Sequence, residues 1–343
     1  KKAYVEYRIQ SGPVTRIQDF NYQADSGVIV NELPYSSPVF RMMVADSAHT
    51  LIRREMPMDV DVLEKERERV TEALRANGYY NFSKDYLQYY ADTLKNGSPE
   101  KADLIMTIIN NLPDSMAYRK YTIGNIRVNL DYDPVLAVSA ADSLYQRVYY
   151  NNYEVVYNGE MKIKPKVILE TIQFDRGEQY NVRKVASSYS RLQALKLFKF
   201  INIVFREQVK DPQHPQLDCE IQLTPMKRQS YNVFLEGTNN SGNIGVGGNF
   251  SYNHKNLFHG GENLTLSVWG ALKKEKLREN EIFSTTEVGT ELRLVTPQFW
   301  VPILKLSEFR RDFAPKTSIS LSYSQEHTQF YQCQVWLSLA KER

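Results

Sequence analysis

From Tyr231 onward, apolar and polar residues alternate one by one. Between residues 243 and 253, Ile244, Val246, Gly248, Phe250 and Tyr252 fall on one side of an extended chain. Gly245, Gly247, Asn249, Ser251 and Asn253 fall on the other, because successive strand side chains point to opposite faces. The pattern returns in Ser284–Val295, where Val288, Thr290, Leu292 and Leu294 oppose Glu287, Gly289, Glu291 and Arg293. It returns again in Thr317–Ser324, where Ile319, Leu321 and Tyr323 oppose Ser318, Ser320, Ser322 and Ser324. Leu264, Leu266 and Val268 repeat the same spacing. These segments are predicted to be strands with one apolar face and one small, polar or charged face.

Two architectures use such strands. A soluble antiparallel sandwich alternates because one face lines its core. A membrane-spanning barrel alternates because one face meets lipid, with strands of about 10 residues. The Gly- and Ser-rich polar face suits a crowded lumen. The connections also favour a barrel, with Lys255–Gly261 expected to be tight and Ala271–Phe283 and Thr296–Lys316 long. Under the barrel reading, Ile244, Val246, Phe250, Tyr252, Leu264, Leu266, Val268, Leu292, Leu294, Ile319, Leu321 and Tyr323 face lipid.

Upstream the pattern is mixed and reads as two copies of one plan, each a strand, a helical region and two closing strands. The opening strands are Thr15–Asn21 and Tyr121–Asp131. In the first copy Leu63, Val70, Ala73 and Leu74 form a helical stripe. Asp59 or Asp61 caps this helix, and Asn77-Gly78 ends it, glycine being free to turn left-handed. Glu64 to Arg69 is expected to be a solvated face of opposite charges three and four apart; its alternating signs argue against a nucleic-acid patch. Tyr86–Asp92 and Ala102–Ile109 close the copy as a hairpin, with Asn96-Gly97 near its tip. In the second copy Asn181 caps a helix with the stripe Val182, Val185, Tyr189 and Leu192. Phe200–Arg206 and Leu217–Leu223 close it, with Pro212 and Pro215 in the loop. Pro134–Tyr157 reads as a helix-rich insertion. The expected fold class is thus α+β modules followed by an antiparallel sheet: 1–12 the end of a preceding module, 13–112 and 113–230 modules, and 231–343 the strands.

Composition narrows this little. The chain has 343 residues, 24% charged and 42% hydrophobic, which is neither disordered nor a helical membrane protein. No apolar run is long enough for a transmembrane helix, a rule that barrel strands escape. A net charge of +3 argues against nucleic acid as a partner. Cys219 and Cys333 are the two cysteines, read as lone thiols rather than a pair. The start carries no signal-peptide pattern; Ala3–Ile9 reads as a strand followed by the turn Ser11-Gly12-Pro13, so the N-terminus reads as a processed or cut boundary.

Leu63-Glu64-Lys65-Glu66-Arg67-Glu68-Arg69-Val70, then Leu74-Arg75 and Asn77-Gly78-Tyr79-Tyr80-Asn81-Phe82, resemble the second helix and following strand of a POTRA module. So do Arg176 to Val182 followed by Leu195-Lys196-Leu197-Phe198-Lys199. Asn253-His254-Lys255-Asn256-Leu257-Phe258-His259-Gly260-Gly261-Glu262 resembles the turn between the second and third barrel strands of the BamA/TamA superfamily, whose members assemble outer-membrane proteins. The wording of the first run is closest to TamL of the Bacteroidota. A barrel of sixteen strands needs roughly 300 residues, more than residues 231–343 supply, and the family ends on an aromatic residue where this chain ends Lys341-Glu342-Arg343. The resemblance therefore implies a fragment, two modules and five or six barrel strands, which does not insert alone as a functional barrel.

Nothing in the sequence carries catalysis or holds a cofactor. There is no GxSxG and no P-loop, and the five histidines are scattered, with only His254 and His259 near each other and no third ligand beside them. The expected mechanism is strand pairing. Candidate client-binding edges are Tyr86, Leu87, Tyr89 and Tyr90 in one module and Phe200, Ile201 and Ile203 in the other. The alternative is a solvated edge blunted by Lys84, Asp85 and Asp92. The resemblance implies a seam at the first barrel strand, with Tyr231, Val233, Phe234 and Leu235. It implies nascent outer-membrane proteins and outer-membrane lipid as partners. It also implies a TamB-like periplasm-spanning protein or, in a BamA-type role, accessory lipoproteins. The barrel would lie in the outer membrane and the modules in the periplasm. A two-partner-secretion transporter and a soluble periplasmic sandwich protein are the rivals.

Overall fold

The computed structural model describes residues 14–24, 32–93, 100–109, 118–134, 145–208, 215–240, 243–278, 281–297, 316–327 and 331–342. The expected strand Ala3–Ile9, the turn Ser11-Gly12-Pro13, the Asn96-Gly97 turn and Pro212 lie outside these residues. The chain divides into two compact units, one of Lys1–Ile123, Gly177–Arg183 and Glu207–Leu217, the other of Gly124–Arg176, Lys184–Arg206 and Asp218–Arg343.

The first unit contains β1 (Arg16–Tyr22), α1 (Pro38–Ala45), α2 (Val60–Arg75), β2 (Leu87–Asp92) and β3 (Lys101–Ile108). Its sheet has the order β1-β3-β2, with β1 parallel and β2 antiparallel to β3. The Asp59 carboxylate accepts from the Asp61 amide at 2.9 Å and caps α2. Val70 and Leu74 of α2 join Phe40 and Met43 of α1 against Leu87, Met106 and Ile108 of the sheet. Emptying one such position, as in Leu74→Ala, costs about 2–5 kcal/mol. Gly78, at φ +96°, releases the chain from the helix into buried Tyr79 and Phe82.

Glu66 departs from expectation. It lies three residues after Leu63 and four before Val70, on the apolar stripe itself, and is fully buried. Its carboxylate accepts from Arg69 at 2.8 Å, from the Tyr22 hydroxyl at 2.8 Å and from the Leu51 amide at 2.9 Å. Arg69 also pairs with Asp46. Lys65 and Glu68 are exposed and Arg67 is part-buried; Lys84 pairs with Glu64 and Glu68, and Arg67 with Glu64.

Next come β4 (Thr122–Asn129), β5 (Tyr145–Tyr150), β6 (Tyr153–Asn158), α3 (Pro165–Leu169), α4 (Val182–Ala194), β7 (Phe198–Gln208) and β8 (Gln216–Pro225). They build a sheet of order β5-β6-β4-β8-β7. Its β4-β8-β7 part repeats the β1-β3-β2 order, and the β5–β6 hairpin adds to the edge of β4, with β6 parallel to it. The expectation of a helix-rich insertion is therefore corrected over Tyr145–Tyr157. Tyr145, Val148, Tyr149, Tyr150, Tyr153, Val155, Val156 and Tyr157 are strand formers, and Asn151 takes the left-handed conformation of the tight turn at φ +50°. In α4 the Asn181 side chain accepts from the Arg183 amide at 2.9 Å. Tyr189, expected in the buried stripe, is 42% exposed, whereas Ser188 is buried. The Ser188 hydroxyl donates to the Lys184 carbonyl and accepts from the Gln173 amide, so a polar residue is accommodated in the core.

The third sheet is an antiparallel meander of β9 (Gln229–Asn240), β10 (Asn243–Lys255), β11 (Asn263–Arg278), β12 (Glu281–Thr296), β13 (Lys316–His327) and β14 (Tyr331–Glu342), paired in chain order. The expected long connection Ala271–Phe283 is corrected: β11 and β12 pair through it, Lys273 opposite Thr285 and Lys276 opposite Ile282. Charged residues break the alternation there, but cross-strand pairing continues. The connection 256–262, expected to be tight, and the connection between β12 and β13, expected to be long, follow strands that run the same way and so lie at the same end of the sheet, which corrects the expectation that tight and long connections fall on opposite rims.

Candidate functional site

The register of the third sheet aligns apolar residues in rows across strands. Tyr231, Tyr252, Leu266, Leu292 and Leu321 form one row; Val233, Phe250, Val268, Thr290 and Tyr323 form the next. This face is open. Ile244 is 59% exposed, Phe250 41%, Leu292 43% and Leu321 52%. Among the described residues these four side chains are not packed into a two-layer core. The opposite face is polar and internally bonded. Thr265 donates to Asn253 at 2.8 Å, Ser251 donates to Asn249 at 2.9 Å, and Lys273 pairs with Glu287 at 3.2 Å. Gly245, Gly247 and Gly289 are covered on this face. A Cβ at Gly289 would meet the Trp269 ring at 2.2 Å, so glycine makes room for the indole.

Among the described residues β9 ends the sheet and pairs with β10. Its Tyr231, Val233 and Leu235 lie on the apolar face and are 67%, 67% and 79% exposed. Phe234 points to the polar face, opposite Asn249. Among the described residues no strand lies on the outer edge of β9, which is flanked by exposed apolar side chains, and such an edge is a template for another strand.

The other candidate edges differ in what they offer. β2 and β7 are both terminal strands of their sheets. Tyr86, Leu87 and Tyr89, however, serve their own module. Leu87 is fully buried, Tyr86 packs on Phe82 at 5.6 Å, and the Tyr89 hydroxyl donates to the Leu63 carbonyl at 2.9 Å. The expectation that Tyr86 and Tyr89 offer side-chain contacts to a client is therefore corrected; Tyr90 remains half-buried on the other face. On β7, Phe200 is 61% exposed while Ile201 and Ile203 are half-buried.

The turn 256–262 is held from within and from without. Asn256 and His259 adopt positive φ, 61° and 63°, and Gly261 adopts 83°. The Glu262 carboxylate accepts from the Phe258 and Gly260 amides, and the Asn256 carboxamide oxygen accepts from the Gly261 amide. Outside the turn, Asn256 donates to the Lys162 carbonyl, and the Lys164 amide donates to the His259 carbonyl at 2.8 Å. A Cβ at Gly261 would lie 3.0 Å from Pro297 and in ordinary contact with Val167 and Leu197 at 3.4 and 3.5 Å. This anchoring was not foreseen from sequence, because residues 162–167 carry no local mark of it. Among the described residues no helix is long and apolar enough to cross a membrane, and no group of three acidic, His or Cys side chains could hold a metal.

No family model and no curated protein matches the chain. Among solved structures, it is similar to BamA from Haemophilus ducreyi lacking POTRA domains 1–3, at 11% identity, over 95% of this chain and 58% of that one, with a TM-score of 0.39. It is similar to CdiB from Acinetobacter baumannii at 10% identity, over 94% and 56%, with a TM-score of 0.32. A third is POTRA1–3 of the periplasmic domain of Omp85 from Anabaena, at 13% identity, over 64% and 68%, with a TM-score of 0.24. The chain spans little more than half the length of the BamA and CdiB chains.

Proposed function

We propose that this chain is part of an outer-membrane protein assembly or translocation factor of the BamA/TamA type. Residues 13–112 and 113–230 act as POTRA modules, and residues 231–343 as the first strands of its barrel. One observation carries the reading: a meander whose apolar face is open, whose polar face is internally bonded, and whose first strand has a free edge. An open apolar face of this extent calls for lipid, and a free edge calls for a strand.

In this reading Tyr231, Val233 and Leu235 flank a seam at which nascent outer-membrane proteins pair, while the edges of β2 and β7 hold client segments on the periplasmic side. The wording of residues 63–82 supports a TamL-like member working with a TamB-like periplasm-spanning partner. The work is pairing and positioning, not bond chemistry.

Photo-crosslinking in cells tests this. A photoreactive residue at Leu235 of the full-length protein is expected to capture newly made outer-membrane proteins. The same residue at Leu266, inside the sheet, is expected to react with lipid. No client adducts at Leu235, under conditions where outer-membrane proteins are being made, would overturn the proposal.

A further inference from the structure

We propose that the outer face of α2 and the chain that follows it form a binding site for a carboxylate borne on a small apolar body, independent of the membrane reading. Glu68, Thr71, Glu72 and Arg75 recur at the three- and four-residue spacing of one helix face. That face lies opposite the buried Glu66, Val70 and Leu74. Gly78 turns the chain out of the helix, and residues 80–84 run back along it. Arg67 donates to the Lys84 carbonyl at 2.9 Å, and Lys84 pairs with Glu68 at 3.4 Å. Arg183 pairs with Glu72 at 2.8 Å, which seats Val182 beside the same face. Residues 177–183 belong to the first unit, so the enclosed cleft of 590 Å³ lies within that unit.

Two side chains of this face lack partners. The Arg75 Nε and the Thr71 hydroxyl are buried without a hydrogen bond among the described residues. They stand one helical turn apart, four positions in sequence. The rest of the Arg75 guanidinium likewise has no hydrogen bond or ion pair among the described residues. Glu72, three residues before it, goes instead to Arg183. A part-buried cation without a counter-charge is unfavourable, and an anion seated on the guanidinium supplies the missing partner.

The lining selects the kind of anion. One unpaired guanidinium calls for one negative charge, and its planar fork matches a carboxylate in two parallel bonds. A phosphate dianion would set a second charge near Glu68 and Glu72, which oppose it. The other wall is apolar, made by Tyr80, Phe82 and Val182. The Tyr80 ring stands edge-on to Tyr121 at 5.9 Å and to Tyr180 at 5.0 Å, so its own contacts fix this wall. Ligand pockets are usually about 300–1,000 Å³, so the cleft takes a carboxylate carried on a branched aliphatic or single-ring body.

Calorimetric titration of the full chain in detergent micelles tests the site, with N-acetyl-leucine, N-acetyl-leucinamide, 4-methylpentanoate and inorganic phosphate as probes and protein-free micelles as the blank. Saturable binding of the carboxylates in the millimolar range or tighter is expected, with the amide about tenfold weaker than N-acetyl-leucine. Arg75→Gln should weaken carboxylate binding about tenfold. It breaks no side-chain bond among the described residues and should keep the parent's melting temperature. If it misfolds, Thr71→Val decides in its place and should weaken binding roughly fivefold. Tighter binding of N-acetyl-leucine than of 4-methylpentanoate assigns the site to a peptide-borne carboxylate, and equal or weaker binding to a free acid. Absence of saturation by either carboxylate, an amide or a phosphate that binds as tightly as they do, or a folded Arg75→Gln variant that binds like the parent overturns the proposal.

Discussion

The carboxamide of Asn256 donates to the main-chain carbonyl of Lys162 at 2.6 Å while its oxygen accepts from the Gly261 amide at 3.0 Å. One side chain therefore closes its own turn and fastens that turn to the stretch preceding α3. Asn256 is 4% exposed, and its bond to the Gly261 amide lies away from water. Asn256→Ala removes both bonds and leaves the buried Gly261 amide without this acceptor, which costs about 1–3 kcal/mol. The expected outcome is faster hydrogen exchange at the Gly261 and Lys164 amides, read by mass spectrometry or NMR. Asn256→Asp should restore protection at Gly261 but not at Lys164, since it keeps the acceptor and loses the donor.

Glu66 gives the first unit a pH response. Burial alone would raise its pKa, but hydrogen bonds from Arg69, the Leu51 amide and Tyr22 outweigh burial and hold it below the usual carboxylate value. Tyr22 is pushed up to about 12, first by burial and then by Glu66, and stays neutral throughout. A carboxylate with a depressed folded pKa contributes stability that is full above its unfolded value, about 4.3, and is lost as pH falls through the folded one. Protection of the Leu51 amide should therefore decline as pH falls below about 4. Glu66→Gln should be less stable at neutral pH and should lack this decline. Glu66→Ala leaves Arg69 its Asp46 partner but deprives the Tyr22 hydroxyl and the Leu51 amide of their acceptor, and should be destabilised by about 1–3 kcal/mol for each group left unsatisfied.

Much of this fold is legible in the chain because its signals are local. Period-two alternation marks β10, β12 and β13, and Asp59, Asn77-Gly78 and Asn181 mark helix ends. What the sequence hides depends on distant partners. Glu66 reads as surface within its charge run, although its place between Leu63 and Val70 already puts it on the buried stripe. The β5–β6 hairpin is masked by Pro134 and the Ala- and Ser-containing stretch before it, although its own residues are strand formers. The anchorage of turn 256–262 has no local signature at Lys162 or Lys164, because both contribute only main-chain groups.

Trp269 and Gly289 are cross-strand partners on the polar face. The indole occupies the space that any side chain at 289 would take. Gly289→Ala should displace the ring. With Trp300 and Trp336 replaced by Phe, Trp269 is the remaining tryptophan. Its emission should then change wavelength and become more accessible to acrylamide. Gly270→Ala is the control, because an added methyl there meets nothing closer than 3.6 Å.

The two faces of β13 make opposite predictions at adjacent residues. Leu321 lies in the open apolar row beside Leu292, and Ser322 lies opposite Glu291 on the polar face. If the apolar row meets lipid, Leu321→Arg places a charge in hydrocarbon, which costs about 2–4 kcal/mol near the bilayer midplane. Ser322→Arg instead gains a carboxylate neighbour across the strand pair and should be close to neutral. Equilibrium unfolding of the full-length protein from lipid vesicles measures both. The asymmetry should vanish in short-chain detergent, where a snorkelling arginine reaches water readily. Equal tolerance of the two arginines in vesicles would mean that the open face of this sheet does not lie against lipid.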